Sequence, residues 1–216
     1  MSKQNKAFTL LEAVVVIVLI GILATVAIPR LQTDTTQEAA DQILSDIRYT
    51  QHLALTDDVT NPNNSNWQRA FWSMRFGRCA SGSGWYYMIG SDKDYAGDID
   101  RITEAAIDPL SGKPMFWIGT KACSNGGDGT VSNKIFITKR FGISNVTFSG
   151  SCNGAQHIGF DRLGRLHQSF TASSSPNYAS VLHTPCIITF THPNGNFAIN
   201  IEPETGYAYI VGQENQ

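Results

Sequence analysis

The chain opens MSKQNKA and then runs FTLLEAVVVIVLIGILATVAI up to Pro29. These twenty-one residues, Phe8 to Ile28, hold one charge, Glu12. As a helix rising roughly 1.5 Å per residue, the run matches a hydrocarbon core of about 30 Å. A carboxylate in such a run costs roughly 2.5–3.5 kcal/mol at mid-membrane, and less near an end. A plain anchor has no use for that cost, so Glu12 needs a reason.

The residue four places earlier supplies one. A cut between Ala7 and Phe8 creates an α-amino group on Phe8, a cation at the same depth as the Glu12 anion. Each is unfavourable alone in lipid, and each neutralises the other. Within one helix the i,i+4 spacing suffices. Between two chains the same pair sets how one helix docks beside the next. An ordinary secretory signal would take Lys3 and Lys6 as its basic region and 23–27 (LATVA) as its cleavage site. Glu12 interrupts that reading, and the run exceeds the usual 7–15 apolar residues. An uncleaved anchor leaves Glu12 unexplained.

Ala7 followed by FTLLE resembles the prepilin signature of type IV pilins and type II secretion pseudopilins. The resemblance implies removal of the leader 1–7 by a prepilin peptidase and N-methylation of Phe8 by the same membrane enzyme. It assigns filament assembly to Glu12. Gly21 and Pro29 fall where pilins often carry helix-loosening residues, and Ala7 stands where the family usually has Gly. The C-terminal segments GFDRLGRL, CIITF and FAINIEPETGYAYI resemble the GspH/FimT-like branch, in which similar segments form the closing strands of a sheet on the long helix. Residues 56–150 resemble nothing in that family.

The implied fold class is therefore α+β, the pilin fold: a long N-terminal helix packed on a C-terminal antiparallel β-sheet domain. Its divisions are a leader (1–7), a transmembrane assembly half of the helix (8–28), an amphipathic half (29–55) and a globular β-rich head (56–216). The amphipathic half is read from the spacing of Ala40, Ile43, Leu44, Ile47, Ala54 and Leu55. Pro29 lies inside the helix and should loosen or kink it. About 160 residues follow the helical stretch, enough for one domain with a core.

In the head, Trp67–Phe76 and Gly84–Ile89 read as strands around a hairpin loop, and 115–118 and 134–138 as short strands. The segments 157–160 and 165–170 make one hairpin around the turn at Asp161–Gly164. A second, 187–191 and 197–201, closes on Pro193-Asn194-Gly195, the strongest short hairpin signal. A last strand spans 207–211.

Four cysteines, Cys79, Cys123, Cys152 and Cys186, lie beyond the membrane segment, where two disulfides are expected. Three pairings are possible. Cys79–Cys123 and Cys152–Cys186 are favoured, because the latter two each open a strand-like segment. None of the spacings is CxxC, so neither a zinc nor a thioredoxin-like site is indicated.

The formal charge of −2 becomes −4 once Lys3 and Lys6 leave with the leader. That balance, and a tail with Glu202, Glu204 and Glu214 but no Lys or Arg after Arg165, argue against nucleic acid as a partner. Arg69, Arg75 and Arg78, and Lys134, Lys139 and Arg140, read as ordinary surface charge. The acidic run Asp92, Asp94, Asp98, Asp100 is a weak calcium candidate: an EF-hand loop needs an oxygen ligand at position 5 and Glu at position 12, and here Ala96 and Thr103 stand there, with Glu104 one place late. Otherwise no cofactor is expected. The five histidines, at 52, 157, 167, 183 and 192, show no metal spacing, and the serines no GxSxG elbow. No enzyme activity is expected.

The lysines before the apolar run place the N-terminus in the cytoplasm and the head in the periplasm of a Gram-negative cell, before incorporation into a filament. Partners are the prepilin peptidase and methyltransferase, the inner membrane, and other pilins through the N-terminal helix. The resemblance favours a minor pilin of a type IV pilus, supporting assembly or adhesion. A type II secretion pseudopilin, or a filament-borne module binding DNA, a surface or a glycan through Trp67, Trp72, Trp85 and Tyr86, are its alternatives.

Overall fold

The computed structural model describes residues 10–31 and 35–214, with side chains from 10–23 and 35–214. The chain divides into two compact units, Met1–Thr35 and Thr36–Gln216. The first holds helix α1, Leu10–Leu31. It has the length of a span, about 33 Å at 1.5 Å per residue. Only residues 10–23 have described side chains, and among the described residues no helix is long and apolar enough to cross a membrane. The helix runs through Pro29, whose side chain lies outside the described set.

The second unit is the head. It begins with helix α2, Thr35–Thr56, whose buried stripe is Ala39, Ala40, Ile43, Leu44, Ile47 and Ala54. Residues 32–34 lie outside the described residues, so the expected continuity of the helix across them does too. The spacing of three and four turns one apolar face of α2 to the core, as read from the sequence, except that Leu55, read into that face, is exposed at the end of the helix.

Eight strands form two antiparallel four-stranded sheets. The first has the order β2-β1-β4-β5, from β1 (Trp72–Arg78), β2 (Trp85–Gly90), β4 (His157–Phe160) and β5 (Leu166–His167). The second has the order β3-β6-β7-β8, from β3 (Asn145–Gly150), β6 (Cys186–Thr191), β7 (Phe197–Ile201) and β8 (Ala208–Ile210). Alternation along β6 puts Cys186, Ile188 and Phe190 inside, with Ile187, Thr189 and Thr191 half-buried. Phe76 of the first sheet meets Phe148 and Phe190 of the second at centroid distances of 5.7 and 5.8 Å, so the two sheets share one aromatic core.

Polar side chains of α2 fasten it to the turns of the sheets. Gln51 Nε2 donates to the carbonyls of Gly164 and Thr205, at 3.0 and 2.7 Å, and Arg48 donates to Ala208 O at 2.9 Å. Gly206 sits at φ +62°, and a Cβ there would strike Gly164 O and Gln51 Nε2. Only glycine satisfies both the left-handed backbone and the close approach.

Several sequence-based expectations are corrected. Trp67–Ala70 is a 3-10 turn that precedes β1. Residues 115–118 are irregular, although Met115 exchanges backbone hydrogen bonds with Ile89 and Ala106. The segment 134–138 is not a strand: it holds a 3-10 turn, Asn133–Ile135, and the start of α3, Ile137–Phe141. Ile135, Phe136 and Ile137 are all buried, and a short run apolar on every side has no period that separates helix from strand. Strand β3 has no counterpart among the strands expected from the sequence.

Candidate functional site: the apolar helix and the polar clusters of the head

Helix α1 is apolar on all sides. Eleven large aliphatic side chains between Leu10 and Leu23 are each at least 42% exposed. Glu12 is exposed in the first turn, where a carboxylate also favours the helix N-terminus. Among the described residues nothing lies within 4 Å of a Cβ built on Gly21, so that face is open to close approach by them. Ala7 and Phe8, the expected cleavage and methylation positions, lie outside the described residues. An all-round apolar helix is either a membrane span or the inside of a larger assembly.

The cysteines form two disulfides, Cys79–Cys123 and Cys152–Cys186, the pairs favoured from sequence. The first ties the β1–β2 connection to the 115–123 loop. The second joins the turn after β3 to the start of β6.

Of the basic residues, Arg78, Lys139 and Arg140 are exposed as expected, Arg69 is half-buried, and Arg75 and Lys134 are buried. Arg75 is buried in the first sheet, with Nη1 2.6 Å from Asp98, and burial pushes its pKa down. Arg69 donates to the carbonyls of Ser173 and Tyr95 at 2.8 Å each. Lys134 is buried against two carboxylates, with Nζ 2.8 Å from Asp46 of α2 and 3.0 Å from Asp108. Tyr87 adds a short hydrogen bond to Asp46. Burial is the largest influence on Asp46 and raises its carboxyl above the usual range. Asp108 is as poorly exposed, yet Ser111, Lys134, Ser132 and the Leu110 N–H together hold it below that range against the effect of burial. Sequence reading missed this cluster because Tyr87 and Lys134 stand 41 and 88 positions from Asp46 along the chain.

The acidic stretch folds into a turn that differs from the calcium candidate. Asp92, Asp94 and Glu104 bring ligand atoms within 4.8 Å of one another, whereas Asp98 pairs with Arg75 and Asp100 with Arg101. Asp92 accepts from the N–H groups of Ala96 and Gly97, and Glu104 from those of Lys93, Asp94, Asp100 and Arg101. These carboxylates organise the turn itself.

Of the aromatics considered as a sugar platform, Trp72 and Tyr86 are core residues at 8% and 4% exposure, and Trp72 donates to Asp57. Trp85 is half-buried beneath Arg78, whose guanidinium lies 4.8 Å from its ring centroid. Trp67, also half-buried, lines a cleft of about 210 Å³ with Phe71, Tyr178 and the 161–165 turn.

At the floor of that cleft, His167 Nε2 lies 3.2 Å from Asp161 Oδ2 and its Nδ1 2.8 Å from Ser180 Oγ. The residue types suggest acyl transfer, and the geometry denies it. A seryl nucleophile hands its proton to imidazole. Ser180, 4% exposed, gives its proton to Asn177 O at 2.6 Å. Asp161 accepts from Arg165 as well, and its carboxyl is lowered to about 2, burial being outweighed by the His167 and Arg165 hydrogen bonds. The trio fastens the 177–182 loop to the β4–β5 hairpin.

Comparison with known proteins adds one positive finding. Residues 2–28 match the family model described as the prokaryotic N-terminal methylation motif. Neither a curated protein nor a solved structure matches the chain. The match supports a type IV pilin-like subunit, processed as a prepilin, anchored in the membrane and then carried in a pilus. It points to a structural role, and it spans the same leader and apolar segment in which Glu12 stands.

Proposed function

We propose that the chain is a minor subunit of a type IV filament of the mannose-sensitive haemagglutinin (MSHA) kind. A prepilin peptidase cuts it between Ala7 and Phe8, and Phe8 is methylated. Helix α1 anchors the subunit in the inner membrane with the head in the periplasm, then packs among the same helices of its neighbours. Glu12 meets the amino terminus of an adjacent subunit and sets the stagger. Within the GspH/FimT-like branch, the assignment to the MSHA kind rests on the chain's size, its four cysteines and the FDRLGR stretch at 160–165.

One observation carries the reading: Glu12 stands in the first turn of a helix whose other described side chains are almost all apolar and exposed, within the segment 2–28 that matches the methylation motif. Glu12→Ala is expected to abolish incorporation into filaments while membrane insertion persists. N-terminal sequencing of the processed protein should begin at Phe8. Normal incorporation of the variant, or another first residue, refutes the mechanism.

A further inference from the structure

We infer that the cleft between Trp67, Tyr178 and the Asp161–Arg165 turn is a binding site for an acidic sugar residue. Its volume, about 210 Å³, lies below the roughly 300 Å³ at which drug-sized pockets begin, so it admits one ring rather than a long ligand. Its rim carries a flat aromatic that the core does not use: Tyr178 is 76% exposed. Trp67 is set edge-on against Phe71, with centroids 5.4 Å apart. Amphipathic rings of this kind offer a face to the C–H side of a pyranose and a polar tip to its hydroxyls.

The polar groups are biased towards donors. Gln68 is 2% exposed and lines the cleft; its Oε1 accepts from Asn177 N, and its amide nitrogen has no acceptor among the described residues. That nitrogen is reached by solvent in the cleft, where it can donate to a ligand. Arg162 and Arg165 lie on the same turn. Arg165 is spent on Asp161 at 2.7 Å, whereas the ion pair of Arg162 with Asp58 is long, 3.9 Å, and both partners are more than half exposed. Arg162 is therefore free to exchange Asp58 for a ligand carboxylate, a pairing its planar fork favours.

Two other occupants fit less well. An extended peptide would need a free strand edge. The outer edge of β5 is taken, since Gln168 N donates to Ser180 O and Leu182 N to Leu166 O, both at 2.9 Å. Single-stranded nucleic acid would also stack on aromatics, but it needs a basic track along its backbone. Here two arginines sit beside Asp58 and Asp161 on an acidic chain. Sugar recognition does not depend on the filament reading, and Glu12→Ala tests only the latter.

The experiment titrates the full chain, in a zwitterionic detergent that carries no sugar, with glucuronate and separately with glucose. Binding is followed by tryptophan fluorescence and by saturation-transfer NMR of the ligand. Glucuronate is expected to bind with a millimolar Kd, the range ligand efficiency sets for so small a molecule, and at least about tenfold more tightly than glucose. Tyr178→Ala and Arg162→Gln replace exposed side chains and leave the core intact. The first should weaken both sugars about tenfold; the second should abolish only the preference for glucuronate. Equal affinity for the two sugars overturns the proposal. So does the absence of saturation well above millimolar, or binding that neither substitution alters. Displacement of glucuronate by a single-stranded oligonucleotide or an acidic peptide at lower concentration also overturns it.

Discussion

Replacing Lys134 by Met tests what holds α2 on the sheets. The methionine keeps the length of the stem and removes the charge. In the native head, Nζ sits 2.8 Å from Asp46 and 3.0 Å from Asp108, and the three side chains are 10%, 5% and 3% exposed. Taking one partner out of a buried pair costs about 3–5 kcal/mol, because the remaining charge stays buried without compensation. Asp108 would keep its serine and backbone donors, whereas Asp46 would keep only Tyr87. For a domain of this size each kcal/mol moves Tm by about 2–4 °C, so the loss should reach roughly 6–20 °C at neutral pH. The sign with pH follows from Asp46. Its folded pKa is already raised by burial, and losing the ammonium raises it further. A group raised on folding stabilises below its unfolded pKa of about 4 and loses that contribution as pH rises through the folded value. The gap between variant and native protein should therefore narrow as pH falls from neutral towards about 4. Urea unfolding followed by tryptophan fluorescence measures it. A gap below about 1 kcal/mol at neutral pH, the value of a surface pair, or one that does not change with pH, would refute the argument.

Removing the disulfides gives two further outcomes. Replacing Cys152 and Cys186 by Ala opens a loop of sequence separation 34, and replacing Cys79 and Cys123 opens one of 44. Chain entropy assigns each about 4 kcal/mol, and calorimetry showing either variant unshifted would rule out the link as a support. Asp161→Asn tests the cleft floor. The native carboxyl is lowered to about 2, so its contribution is present above about pH 4 and is lost as pH falls towards 2. The variant should be less stable by about 2–3 kcal/mol at pH 6, and the two proteins should converge near pH 2. A constant difference across that range would show that the ion pair does not titrate with folding.

The helices and the second hairpin were legible because their signals are local. Ile43, Leu44 and Ile47 repeat at helical spacing, and Pro193-Asn194-Gly195 fits a reversal between two β-rich runs. The middle of the head was not legible, for the opposite reason. Strand β3, with Val146 and Phe148 facing in, finds its hydrogen-bonding neighbour in β6, far along the chain. The charged residues misled most. Arg75 and Lys134 read as solvated because charges usually are, yet each has carboxylate partners far away in sequence. The same distance hid Ser180 from His167 and Asp161. Glu104 returns through a 3-10 turn to stand beside Asp92 and Asp94, a grouping that the spacing of the acidic run does not show.

The contrast between the two helices bears on how assembly is specified. Helix α2 buries its apolar stripe in its own head and presents polar residues elsewhere, so it is satisfied within one chain. Helix α1 has no such division: its described large aliphatic side chains, between Leu10 and Leu23, are all exposed, and water is the wrong surrounding for them. Lipid and a bundle of like helices satisfy aliphatic side chains almost equally, since acyl chains are as apolar as leucine. Moving α1 from bilayer to filament therefore gains little from Val14, Ile17 or Leu19, and those residues do not fix a register, because one aliphatic ridge serves much like the next. Selectivity has to come from a group whose energy differs sharply between the two surroundings. Glu12 is the only acidic residue in α1. A carboxylate that costs roughly 2.5–3.5 kcal/mol unpaired at mid-membrane recovers that cost only where a cation stands at its depth. In the assembly reading one stagger between neighbouring helices provides the cation, and a displacement by a single helical turn of about 5.4 Å removes it.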